Sequence, residues 1–181
     1  MKKIFIVMMS LLMVFACNPK KDVFMEQVKK DYAEAVSENE HAYFYEVEAV
    51  LDKPVSKIDK GLNIVSTKTI IQVDSFKVKE ITRDFKKGKV VSENVEYLDG
   101  IWIGDLKIQP DSIKLNFSDA VKRLKETNTI LPDGDKMTFR RPAVPPFRPV
   151  YIFGTMGTFF VSVDAISGEV KTFDGGISGL E

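Results

Sequence analysis

The stretch Ala42-Tyr43-Phe44-Tyr45-Glu46-Val47-Glu48-Ala49-Val50-Leu51-Asp52-Lys53-Pro54 alternates along its length. Tyr43, Tyr45, Val47, Ala49 and Leu51 fall on one side of an extended chain, and Phe44, Glu46, Glu48 and Val50 on the other. Period two in aromatic and β-branched residues predicts a half-buried strand that ends before Pro54. Just upstream the period is helical. Phe24, Val28, Tyr32, Ala35 and Val36 form one apolar stripe over 22–39, with Asp22 placed to cap it and Glu26 suited to the positive end of the dipole. Such a stripe is expected to dock on the sheet.

Downstream, residues 63–73 are rich in β-branched side chains, and 75–85 and 89–98 flank Lys86-Lys87-Gly88, a hairpin signal. Asp99-Gly100 reads as another turn, with Tyr97-Leu98 before it and Ile101-Trp102-Ile103 after it. Phe117, Ala120, Val121 and Leu124 share a helical face over 118–125, and Asn116 with Asp119 forms a capping-box variant. Residues 127–149 read as irregular, with a turn at Asp133-Gly134-Asp135 and four of the eight prolines within 142–149. Three short strands follow over 150–153, 158–164 and 169–173. The expected class is α+β: an antiparallel β-sheet with helices packed on one face, as one domain or as two sheet-sharing units. The expected division is a helix plus β-rich region over 22–112, a second unit over 113–174 and a flexible tail over 175–181.

The N-terminus has its own composition. Lys2 and Lys3 precede a run from Ile4 to Ala16 that is apolar except for Ser10, and it ends at Cys17, the only cysteine. At 1.5 Å per residue the run reaches about 20 Å, short of the roughly 30 Å hydrocarbon core, so a secretory signal fits better than a spanning helix. Val14-Phe15-Ala16-Cys17 resembles the lipobox of bacterial lipoproteins. That resemblance implies that 1–16 is a signal peptide and that the Cys17 thiol carries a diacylglyceryl group. Residues 17–21 then form a lipidated tether, and two or three acyl chains hold the protein in the envelope, enough for stable anchoring. Asn18 is not the aspartate linked to inner-membrane retention in some members, so the outer membrane is the expected location. Ordinary signal cleavage, with Cys17 a bystander, stays open.

Phe117 to Leu124, then Val150-Tyr151-Ile152-Phe153, then Phe160-Val161-Ser162-Val163-Asp164-Ala165-Ile166-Ser167-Gly168-Glu169-Val170 resemble PepSY-type modules, in which a helix lies against a small antiparallel sheet. Ser167 stands where threonine is common. The resemblance covers about a third of the chain and implies an envelope module that binds or restrains peptidases, with no catalytic residue to carry over. The local pattern has its own physics: Asp164 can bond turn amides and Gly168 can take positive φ. Residues 22–112 have space for a diverged helix-plus-sheet unit.

Little here points to catalysis. His41 is the only histidine, at the end of a charged helix, so one chain cannot build a multi-histidine metal site. No phosphate loop, dinucleotide fingerprint or nucleophile elbow is present. Asp133-Gly134-Asp135 lacks further calcium ligands, since Met137 and Val144 occupy those places. No metal and no cofactor is expected. A pair of carboxylates for hydrolysis stays open, because separation is a three-dimensional property. The 24 basic against 26 acidic residues left without 1–16 argue against nucleic-acid binding.

Arg140-Arg141-Pro142-Ala143-Val144-Pro145-Pro146-Phe147-Arg148-Pro149 is the most distinctive surface candidate. Proline stiffens the segment, and arginine with phenylalanine is favoured at contacts. Two readings are open. It is a rigid exposed arm that docks Arg140, Arg141, Phe147 and Arg148 on a partner, or a crossover loop with Phe147 in the core and the arginines solvated. Trp102, beside Ile101 and Ile103, is read as a core or sheet-face residue, with a ligand platform as the alternative. The expected function is a non-catalytic envelope lipoprotein that binds the membrane through its lipid and a protein partner through this arm, with inhibition of a peptidase or hydrolase as one form of that binding. The alternatives are a structural or assembly lipoprotein and a carboxylate-based hydrolase.

Overall fold

In the computed structural model, which describes residues 22–174, α1 (Val23–Glu38) begins at Asp22, whose side chain accepts from the Met25 amide at 3.1 Å. Its buried face carries Phe24, Met25, Val28, Asp31 and Ala35, so the apolar stripe is rotated from the expected one and includes a carboxylate. Tyr32 and Val36 pack only partly against the core. The second helix, α2 (Phe117–Glu126), buries Phe117, Ala120, Val121 and Leu124. Its capping box is complete, with Asn116 accepting from the Asp119 amide at 2.9 Å and Asp119 accepting from the Asn116 amide at 3.1 Å.

Among the described residues eight strands form one sheet: β1 (Tyr43–Leu51), β2 (Ile64–Asp74), β3 (Lys77–Lys86), β4 (Lys89–Asp99), β5 (Lys136–Arg140), β6 (Val150–Gly154), β7 (Phe160–Asp164) and β8 (Val170–Phe173). Their order is β4-β3-β2-β1-β5-β6-β7-β8, and every neighbouring pair is antiparallel. A helix followed by four strands thus occurs twice along the chain, and the first strand of each set, β1 or β5, lies at the centre of the sheet. The α+β class with an antiparallel sheet is what the alternating segments imply.

Both helices pack on the same face. Phe24 of α1 meets Phe117 of α2 at 6.1 Å between ring centroids, and the same ring reaches Tyr151 of β6 at 6.3 Å. Phe139 of β5 and Tyr151 lie 4.6 Å apart in the middle of this core. The Tyr151 hydroxyl donates to the Leu115 carbonyl at 2.9 Å, and burial pushes the phenol above its ordinary pKa. Two polar clamps fasten α1 to the sheet's far half. Arg83 of β3 grips Asp31 at 2.5 and 2.7 Å and Glu93 of β4 at 2.7 Å, while Lys79 and Tyr97 both bond Glu38.

Three expectations change. β1 shifts register between Phe44 and Glu46, so Tyr45 is the extra residue of a bulge, and Phe44 turns into the core with Val47, Ala49 and Leu51. Residues 136–140, read as irregular, form a central strand with Met137 and Phe139 fully buried. Asp99-Gly100 ends β4 but makes no hairpin. The chain instead crosses the face opposite the helices, where Gln72 of β2 donates to the Gly100 carbonyl at 3.1 Å and accepts from the Trp102 amide at 2.7 Å. This strap continues to Ile108, whose amide donates to the Phe44 carbonyl at 2.8 Å.

Candidate functional site: a groove on the outer sheet face

The run Val150-Tyr151-Ile152-Phe153 is apolar at every position, so both faces of β6 need cover. Tyr151 and Phe153 face the helices, and Val150 and Ile152 face away from them. Ile152 is nonetheless only 4% exposed. Its cover is the proline-rich connection between β5 and β6, which folds back over β6, β7 and β8. Between loop and sheet lies a groove of about 520 Å³. Ile152 and the stacked rings of Phe160 and Phe173, 4.6 Å apart at 14°, line the sheet side, and Pro142, Val144 and Pro145 line the loop side.

The loop is held by its own arginines. Arg141 donates from Nε to the Phe147 carbonyl at 2.6 Å and from a terminal nitrogen to the Lys107 carbonyl at 3.0 Å. Phe147 sits at φ 57°, a conformation uncommon outside glycine, and its amide donates to the Val144 carbonyl at 2.9 Å. With its backbone so fixed, Phe147 is 46% exposed. Arg148 lies at the groove, half exposed, 3.6 Å from Asp164.

Arg140 closes one end. It donates from Nε to Asp105 at 2.6 Å, pairs with the same carboxylate through a terminal nitrogen, and approaches Glu46 at 3.7 Å. Glu46 and Asp105 are both buried and hydrogen-bonded to each other. Burial first, then Asp105, pushes the Glu46 carboxyl up to about 7 against the pull of Arg140. Arg140 and Gly104 line the groove, whereas Glu46 and Asp105 do not. This close pair of acids therefore ties the strap to the sheet behind the groove wall.

The four arm residues thus divide. Phe147 is neither in the core nor on a projecting spike; it and Arg148 are presented at the surface. Arg140 and Arg141 bond partners within the chain, Asp105 for the first and the Phe147 and Lys107 carbonyls for the second. Cys17 lies outside the described residues, as do the leader, the whole 17–21 tether and the 175–181 tail. Asp133-Gly134-Asp135 acts as a scaffold: Asp133 accepts from Ser56 Oγ at 2.8 Å, and the Gly134 and Asp135 carbonyls accept from the Val55 and Leu51 amides. His41 is exposed beside Glu40. Trp102 is half-buried on the strap, and its indole nitrogen is buried with no hydrogen-bond partner among the described residues. Among the described residues, no three His, Cys, Asp or Glu side chains cluster as metal ligands would. Reading the sequence for motifs missed Ile152, Phe160, Phe173 and Asp105; the unbroken apolar run of β6 was the available signal for the first.

No family model matches this chain, and no curated protein matches it. Among solved structures, a crystal structure of a candidate lipoprotein from Clostridium difficile 630 is similar, at 14% identity and a TM-score of 0.45, over 84% of this chain and 99% of that one.

Proposed function

We propose that this chain is a lipid-anchored protein of the bacterial envelope that binds a protein partner without catalysis, using the 142–149 loop and the groove beneath it. The observation that carries the reading is the presentation of Phe147 and Arg148 on a loop whose backbone is pinned by Arg141. A held backbone lowers the ordering cost of docking, and aromatic and arginine side chains are favoured at contact sites. Support for the anchor comes from the sequence: a basic start, a short apolar run and the sole cysteine at its end. The resemblance of 113–173 to PepSY-type modules favours a peptidase or another envelope hydrolase as the partner, with this chain as its inhibitor.

Affinity capture tests this. The mature chain is immobilised beside a variant carrying Phe147→Ala and Arg148→Ala, substitutions that leave the anchoring Arg141 in place. Recovery of one envelope hydrolase at one-to-one stoichiometry, slowed by the wild type and lost in the variant, is the expected result. Recovery of membrane-assembly proteins equally by both would favour a scaffold and remove the loop from the interface.

A further inference from the structure

We infer, building on the partner-binding reading, that the partner offers an extended, uncharged, apolar segment that pairs along the free edge of β8 and sets alternate side chains into the groove. Among the described residues β8 is the last strand of the sheet, and Lys171, Thr172 and Phe173 are all exposed. Lys171 and Phe173 line the groove, whereas Val170 packs against the helix-side core. Side chains alternate along a strand, so every second residue of a ninth strand beside β8 would continue the wall that Phe173 begins.

The charges on the groove wall argue for a neutral segment. Arg148 is paired with Asp164 at 3.6 Å, Lys171 with Glu169 at 3.3 Å, and Arg140 with Asp105. Each charged side chain that lines the groove already has an opposite partner within the chain. A charged ligand would find no unpaired countercharge and would lose hydration on entry. The accessible apolar surface of Phe160, Phe173 and Val144 offers a return for burying leucine or phenylalanine instead.

The other edge of the sheet is built differently. Where β4 pairs with β3, Asp84 faces Ser92 and Phe85 faces Val90, which leaves Val91 as the extra residue of a bulge. Glu93, Glu96 and Asp99 also lie along β4. Bulges and charges of this kind protect an edge from strand addition. β8 carries one lysine, and that lysine is neutralised by Glu169.

The probe is a capped, uncharged heptapeptide that alternates threonine with leucine or phenylalanine. It is titrated into the isotope-labelled mature chain, with Cys17→Ser to leave off the lipid, and amide shifts are followed by NMR. Saturable shifts at residues 170–173 and in the 142–148 loop are expected. Proline at the centre of the peptide, which removes a main-chain donor, should weaken binding about tenfold, and glutamate in place of leucine should do at least as much. Phe173→Ser, at a position 38% exposed, should weaken it as well. No saturable shift, shifts confined to β4, or equal binding of the proline peptide would overturn the inference. If the peptide fails while capture still depends on Phe147 and Arg148, strand addition falls and the partner-binding reading stands. If the peptide binds but capture ignores those residues, the reverse holds.

Discussion

Arg141 donates from Nε to the carbonyl oxygen of Phe147 at 2.6 Å and closes the proline-rich loop onto the end of its own preceding strand. The bond lets a phenylalanine rest at positive φ with its ring turned outward. Arg141→Ala should therefore free the loop without opening the core. Unfolding free energy should drop by only about 1 kcal/mol, while partner affinity falls at least as far as in Phe147→Ala. Calorimetric unfolding beside a binding titration would check the pair of outcomes.

Glu46 gives the fold a pH dependence of known sign. Its carboxyl is held near 7, against an ordinary value of 4.5, by burial and by its contact with Asp105. The folded protein keeps that proton after the unfolded chain has lost it. The contribution to stability is full below about 4.5 and declines as pH rises through about 7, above which it is gone. The whole change is on the order of 3 kcal/mol. Glu46→Gln keeps a donor for Asp105 and removes the titration. Denaturant unfolding at pH values across that window should show the wild type weakening and the variant holding steady.

Arg83 is 2% exposed at its side chain and grips an Asp31 that is fully buried. Burial raises the Asp31 pKa even with the guanidinium beside it. Removing one partner strands the other, so Arg83→Ala should cost about 3–5 kcal/mol. Replacing both with apolar residues of similar size, Arg83→Met with Asp31→Leu, should recover most of that loss. Chemical denaturation of the single and double variants measures the coupling.

Gly154 ends β6 at φ 101°, and a Cβ there would stand 2.9 Å from the Phe159 carbonyl oxygen and from Pro132. Gly154→Ala should destabilise by more than about 1 kcal/mol, since the backbone conformation and the space both oppose it. Thermal unfolding reads this directly. Gly157, with open space around its position, shares the positive φ but no close contact, and should cost less.

Cys17→Ala tests the anchor. The wild type should incorporate labelled fatty acid and fractionate with membranes, and the variant should do neither.

Both helices, their caps and most strands were legible in the sequence because each follows a local rule. The turn at Asp164 is an example. Its carboxylate accepts from the Ile166 and Ser167 amides at 2.8 Å, and Gly168 sits at φ 76°, as the residue types require. What escaped depends on distant partners. Five residues of β5 carry too short an alternation to stand out, and they are a strand because β1 and β6 flank them. Asp31 on the apolar face of α1 is explained only by Arg83, fifty-two positions away. The Asp99-Gly100 signal ended a strand correctly, but the next segment follows Gln72 and not its neighbour. The loop was visible as a proline cluster, yet the commitment of Arg140 and Arg141 to Asp105, Phe147 and Lys107 was not.

Hydrogen exchange on the mature chain, alone and saturated with the captured partner, tests the central claim most directly. Contact at the loop and groove predicts slowed exchange over the amides of 143–148 and 170–173, with β4 unchanged. Protection confined to β4 or to the helix face, with the loop exchanging as fast as in the free protein, would contradict it.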